Sequence, residues 1–188
     1  LQVGEDTIHA ASVVTACGPR PAVPPAWVDF GERILTSDTI FEQEDLPDAI
    51  AVVGLGVIGL EIGQALAHLG VSVTGIDMLD TIAGLRDPDA RRSAIELMER
   101  AFPIWLGHEV ELFEDEGRIR VSAGEQAVVV DKVLAAMGRQ SNLDWLAIEN
   151  AGIELDARGV PVFDKNTMRC GDSRVFIAGD ISGGDQIL

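Results

Sequence analysis

The run Gly54-Leu55-Gly56-Val57-Ile58-Gly59 most constrains what this chain can fold into. The apolar residues Ala49-Ile50-Ala51-Val52-Val53 lead into it, and helix-compatible sequence follows from Leu60 and Glu61 onward. A buried strand, a G-x-G-x-x-G turn and a helix, in that order, open a Rossmann-type βαβ unit that holds a dinucleotide. Each glycine has its own task. Gly54 permits the tight turn out of the strand, Gly56 lets the backbone approach a pyrophosphate, and Gly59 lets the helix pack closely on the strand. The backbone N–H groups of the loop and the helix dipole favour the anionic phosphates. A second strand-like run, 71–76, ends on Asp77, close to the ~20-residue spacing at which an acid meets a ribose hydroxyl. Asp77 would also repel a 2′-phosphate, and the first basic residue beyond it is Arg86. NAD(H) is therefore expected rather than NADP(H). Glu61, in the first helical turn, reads equally well as a ligand-facing acid or as a carboxylate favoured by the helix dipole.

Composition narrows the function further. The 188 residues carry 31 acidic and 14 basic side chains, a net charge of −17. Binding a phosphate backbone needs clustered Lys and Arg, so no nucleic-acid partner is expected. An apolar content of 47% fits a globular chain with a sizeable core. No apolar run has bilayer length and no basic-then-apolar start marks a signal peptide, so no membrane association is expected. Cys17 and Cys170 form no C-x-x-C pair, and no metal-ligand spacing joins them to His9, His68 or His108. The expectation is a reduced, cytoplasmic protein with no metal. The start at Leu1 and the uncapped end at Asp185-Gln186-Ile187-Leu188 read as cuts within a longer polypeptide.

Along the chain, residues 7–15 read as a strand, ended by Gly18-Pro19-Arg20-Pro21 and Pro24-Pro25, which begin an irregular linker. One or two helical turns are expected at 40–46. The helix after the glycine loop is expected over 57–69, with Ile58, Ile62, Ala65, Leu66 and Leu69 buried and Gly70 as its cap. Gly75 is unusual inside a strand and would permit close packing against an unidentified partner. Asp87-Pro88 opens a second helix reaching about Arg100, and 104–106 reads as a third strand. Residues 109–113, 118–122 and 126–130, separated by Glu116-Gly117 and Ala123-Gly124, read as an antiparallel meander. Further strands are expected at 132–136, at 160–163 after a turn at Arg158-Gly159, and at 175–178. Asp180, after that last strand, reads either as a carboxylate facing a ligand crevice or as a helix N-cap. Trp27, Trp105 and Trp145 read as packing residues. Together these elements predict an α/β, doubly wound, Rossmann-like sheet.

Four separated stretches then match one family. They are Thr15-Ala16-Cys17-Gly18-Pro19-Arg20-Pro21, the loop over 54–61, Ala136-Met137-Gly138-Arg139-Gln140-Ser141-Asn142, and Val175-Phe176-Ile177-Ala178-Gly179-Asp180. The chain resembles the flavin-dependent pyridine nucleotide–disulfide oxidoreductases, most closely the dihydrolipoamide dehydrogenase branch. The resemblance implies that residues 54–59 and Asp77 hold NAD, that Val110 and Gly138 border the nicotinamide nucleotide, and that Glu61 lies near its nicotinamide end. It implies that Cys17, Gly18, Pro19 and Asp180 touch FAD, with Asp180 on the sugar-phosphate side, and that Arg139 sits where the two domains join. The implied division is 1–45, a partial FAD-binding domain and linker; 46–137, the NAD-binding domain with its meander; and 138–188, a further part of the FAD-binding domain. The sequence departs from the family pattern at Cys17, where Thr is usual, at Pro19, where Ser is common, and at Gln140-Ser141-Asn142, where x-Pro-Asn is usual.

The resemblance implies an enzyme that passes hydride between NAD(H) and FAD, then electrons to a small-molecule or lipoyl-type disulfide. It places the first flavin glycine loop and the C-x4-C redox pair before Leu1. A homodimer-forming domain with a catalytic His and Glu would follow Leu188. No catalytic residue is expected among these 188, and the piece alone is expected to be inactive. An NADH oxidase or ferredoxin reductase-type flavoenzyme is an alternative reading, as is a non-catalytic NAD-binding redox sensor.

Overall fold

In the computed structural model, residues 2–157 and 159–182 are described. The Arg158 half of the expected turn and the terminal 185–188 lie outside them. The chain divides into two compact units, one continuous over Pro21–Gly138 and one assembled from Leu1–Arg20 and Arg139–Leu188. Strand β1 (Val13–Thr15) belongs to the assembled unit. The continuous unit holds β2 (Ile34–Leu35), β3 (Ala49–Val53), α1 (Val57–His68), β4 (Ser72–Asp77), α2 (Pro88–Met98) and β5 (Ile104–Leu106). It continues through β6 (Val110–Asp115), β7 (Arg118–Ala123), β8 (Gln126–Val130) and β9 (Lys132–Ala135).

Five strands of the continuous unit form an all-parallel sheet in the order β2-β9-β3-β4-β5. A parallel sheet needs both faces covered, and the period of two along β3 shows how. Ile50 and Val52 enter the cluster shared with Leu55, Leu66, Val71 and Phe102, against which Ile62, Ala94, Ile95 and Met98 of α1 and α2 pack. Ala51 and Val53 enter the other cluster, with Ile119, Val121 and Ala123 of β7 and the buried Trp27. The second face is thus covered by the antiparallel meander β6-β7-β8, where a doubly wound sheet would place further helices. Asp131, between β8 and β9, accepts the Ala49 N–H at 2.8 Å and pairs with Arg118 of β7 at 2.8 Å, tying the meander to the start of β3.

Several sequence expectations change here. The α1 face against the sheet is Gly59, Gly63 and Leu66, while Ala65 and Leu69 are exposed. The closest approach runs along the glycines, because a Cβ on Gly63 would already lie 3.3 Å from Phe102. Gly75 of β4 has the same explanation, since its Cβ would lie 2.8 Å from Phe102 and 3.0 Å from Leu55. Residues 21–45, expected as linker, pack within the continuous unit: they supply Trp27 to its core and β2 to the sheet edge. The helical turns expected at 40–46 shrink to one short turn, Ile40–Glu42.

In the assembled unit, β1 pairs in parallel with β10 (Val175–Ile177). Leu143, Ile148, Ile153, Cys170, Ile177 and Ile181 form its core. The strand expected over 7–15 is confined to β1, with Asp6–Thr7 pairing instead with Gln2–Val3. Residues 9–12 between them are exposed and have no buried face to hold them extended. The strand expected at 160–163 reduces to a single bridge, Leu155 to Pro161. Pro161 has no N–H to extend a ladder. Trp145 is a surface residue, 71% exposed, rather than a packing one.

Candidate nucleotide-binding site

The chain passes from β3 through α1 to β4 and β5 on one side, then returns to place β9 on the other side of β3. That reversal is the switch point at which α/β sheets open a ligand crevice, beyond the carboxyl ends of the strands. The glycine loop leaves β3 at this point. Gly54 turns with φ +97°, a conformation that favours glycine, and its N–H donates to Ile76 O at 2.9 Å. A Cβ on Gly54 would lie 2.4 Å from Ala136 O, just past β9. A Cβ on Gly59 would lie 1.9 Å from Gly54 O. These two glycines are required by the protein's own packing.

Gly56 is different. It is the N-cap of α1, with φ −67° and ψ −175°, and nothing lies within 4 Å of where its Cβ would be. No side chain caps α1, whereas Asp87 caps α2 by accepting from Asp89 and Ala90 N–H. The α1 N-terminus therefore presents open space and uncapped N–H donors, the arrangement that receives a phosphate. Val57 is exposed, Ile58 half-buried, Leu55 fully buried and Glu61 exposed on the first turns of α1.

Asp77 ends β4 beside this loop and is 9% exposed. Its Oδ2 accepts the Leu55 N–H at 2.6 Å and its Oδ1 accepts the Leu79 N–H at 2.8 Å. Two of its roughly four acceptor positions remain. Met78 and Leu79 expose apolar surface next to it. Residues 81–85 carried no expectation from the sequence, yet they fold back onto the loop. Ala83 takes a left-handed φ of 51° and its N–H donates to Leu55 O at 2.8 Å. Gly84 in A-G sequence was the one local signal for that turn. Val110 begins β6, half-buried against the meander-side cluster, and Gly138 follows β9 with φ +114°.

The other predicted residues lie in the assembled unit, where two of the matching stretches are joined by hydrogen bonds. Three successive carbonyls are held: Cys17 O by Asn142 Nδ2 at 3.0 Å, Gly18 O by Asn142 N at 3.2 Å, and Pro19 O by the Arg139 guanidinium at 2.8 Å. Arg20 donates to Ser141 O and Asn142 Oδ1, pairs with Asp144 at 2.7 Å and stacks on Trp145 at 4.7 Å. Hydrogen bonding to Arg20 holds the Asp144 carboxyl below its ordinary range. Burial pushes the Cys17 thiol up, its own backbone hydrogen bond opposes this, and Asp144 adds to it; burial also raises Cys170. Neither cysteine is activated as a thiolate. Asp180 is exposed in a short turn, Gly179–Ser182, directly after β10. Among the described residues no cluster of His, Cys, Asp and Glu is arranged to hold a metal, and no helix is long and apolar enough to cross a membrane.

A parallel sheet with a glycine loop at its switch point, backed by a meander, defines a nucleotide-binding class of protein. The sequence profile of the family described as pyridine nucleotide-disulphide oxidoreductase matches residues 1–187, and the chain belongs to that family. Dihydrolipoyl dehydrogenase of Chlamydia pneumoniae is 34% identical over 96% of this chain and 40% of its own length. Mercuric reductase of Staphylococcus aureus is 31% identical over 100% of this chain and 35% of its own. A solved Cu(II) complex of the HOCl-induced flavoprotein disulfide reductase RclA from Escherichia coli superposes with a TM-score of 0.88. It is 26% identical and is matched over 100% of this chain and 43% of its own. The chain thus spans roughly two fifths of the length of the curated relatives it matches.

Proposed function

We propose that the continuous unit binds NAD(H) and that the protein is the nucleotide-handling part of an FAD-dependent disulfide oxidoreductase. The observation that carries this reading is the uncapped α1 N-terminus with open space at Gly56. Its N–H groups bind the pyrophosphate, with Val57 and Ile58 supplying backbone around it, while Leu55, its N–H and C=O already engaged, supports the turn from beneath. Asp77 accepts the adenosine ribose hydroxyls at its free lone pairs, Val110 and Gly138 border the nicotinamide nucleotide, and Glu61 lies toward its nicotinamide end. In the assembled unit, Cys17, Gly18, Pro19 and Asp180 contact FAD, and Arg139 braces the Pro19 carbonyl from the domain junction. The fixed carbonyls of residues 17–19 make that segment a rigid wall, which fits a role in orienting a cofactor. When bound, nicotinamide and flavin supply the hydride transfer between them and the reduction of a disulfide such as a lipoyl group, chemistry that no side chain here provides.

Titration of the purified chain with NADH and NADPH tests the reading. A 2′-phosphate would meet the Asp77 carboxylate, a like-charge contact that costs on the order of a few kcal/mol. NADH is expected to bind at least tenfold more tightly, since ~1.4 kcal/mol is already tenfold. Equal or tighter NADPH binding would overturn the assignment.

A further inference from the structure

Leu55, the second residue of the glycine loop, is held on every side by the protein itself. Its N–H donates to Asp77 Oδ2, its C=O accepts from Ala83 N–H, and its side chain is fully buried. The other carboxylate oxygen of Asp77 holds the Leu79 N–H, so one carboxylate bridges the loop and the segment that folds back over it. Ala83 adopts a left-handed conformation to deliver its N–H, followed by Gly84 at φ +66°. The protein's own hydrogen bonds thus fix this part of the loop.

We propose that Asp77 is a positioning residue that sets the glycine loop for phosphate binding, acting through the Leu55 and Leu79 amides. This is separate from accepting ribose hydroxyls, although it rests on reading the loop as a nucleotide cradle. Hydrogen bonds to an ionised acceptor are stronger than neutral ones. An asparagine of the same shape has only one accepting oxygen, so its NH₂ would face either Leu55 N–H or Leu79 N–H, donor against donor. The bridge then loses one end, and the next residue, Gly56, loses its fixed neighbour.

The two roles separate on a ligand that lacks the hydroxyls. Wild type and Asp77→Asn would be compared for affinity toward NADH and toward its 2′,3′-dideoxyadenosine analogue. Amide hydrogen exchange would be measured on the ligand-free 188-residue chain. The positioning role predicts that Asp77→Asn weakens the dideoxy analogue by about tenfold and speeds exchange of the Leu55 or the Leu79 amide, whichever the NH₂ faces, by about tenfold. Exchange in the rest of the β3–β4 ladder is expected to stay unchanged. Equal affinity of both proteins for the analogue would overturn the proposal and leave Asp77 as a ribose acceptor alone. Should the variant not fold, the wild-type chain decides: a Leu55 amide that exchanges as fast as those of Gly56 and Val57 overturns it. Should wild type bind neither ligand, the nucleotide reading falls, while Leu55 exchange still decides whether Asp77 holds the loop.

Discussion

Gly56 and Gly59 are three residues apart, yet the protein's own packing requires glycine at Gly59 and not at Gly56. At Gly59 a Cβ would sit 1.9 Å from the Gly54 carbonyl, so either α1 or the turn must move. Gly59→Ala is expected to destabilise the chain by about 3 kcal/mol, at the upper end of overpacking effects. The loss would appear as a lowered denaturant midpoint with an unchanged slope. At Gly56 the backbone is extended and the space is open, so Gly56→Val should leave the midpoint within ~0.5 kcal/mol of wild type. Calorimetry on the same sample should nevertheless show NADH binding abolished, because the isopropyl group fills the phosphate space. An NADH affinity close to wild type in a folded Gly56→Val protein would count against this site. The glycine pattern was readable at Gly54 and Gly59 because the turn and the close packing exclude a Cβ there, whereas the space at Gly56 is open. That Asp77 also fastens the loop was not readable, because spacing reports where a carboxylate stands and not which amides it meets.

Among elements, α1 and α2 differ in how they begin. Asp87 accepts both the Asp89 and Ala90 amides, and Pro88 follows at the first helical position. Asp87→Ala is expected to cost about 1 kcal/mol, measured by chemical denaturation, with no change in NADH affinity. A coupled loss of affinity would show that α2 supports the loop more directly than its contacts indicate. The Asp87-Pro88 signal made this helix legible, and strong apolar runs and turn residues made β3, β4, β5 and the meander legible within a residue or two. Three features were not. Strand β2 is two residues long, too short for any period to show. The buried face of α1 runs through glycines, which carry no hydropathic weight, so the apolar stripe pointed a fraction of a turn away. Trp145 looked like core from its type alone, but it is a surface ring covered by the Arg20 guanidinium.

At the scale of the whole molecule, the chain divides into two compact units, to which the proposed function gives different tasks. The continuous unit has a complete strand–glycine loop–helix turn, the proposed phosphate site, and 54–59 is the sole G-x-G-x-x-G in the sequence. The assembled unit has fixed carbonyls at residues 17–19 and an exposed Asp180 but no glycine loop of that kind. A flavin dinucleotide carries its own pyrophosphate, which needs its own set of N–H donors. Burial disfavours the thiolate at both Cys17 and Cys170, and neither belongs to a C-x4-C pair. The 188-residue chain by itself is therefore expected to bind NADH yet purify without stoichiometric FAD and show no turnover. Bound NADH would have no positioned acceptor for its hydride, and positioning accounts for much of the rate in such reactions. Two measurements check this: the flavin absorbance of the purified chain, and NADH oxidation in the presence of lipoamide. A yellow preparation with one FAD per chain would show that residues 17–19 and Asp180 make a sufficient flavin site without a second glycine loop. Lipoamide-dependent turnover would show further that electrons leave the flavin without a redox cysteine pair, and the division of labour proposed between the two units would then be wrong.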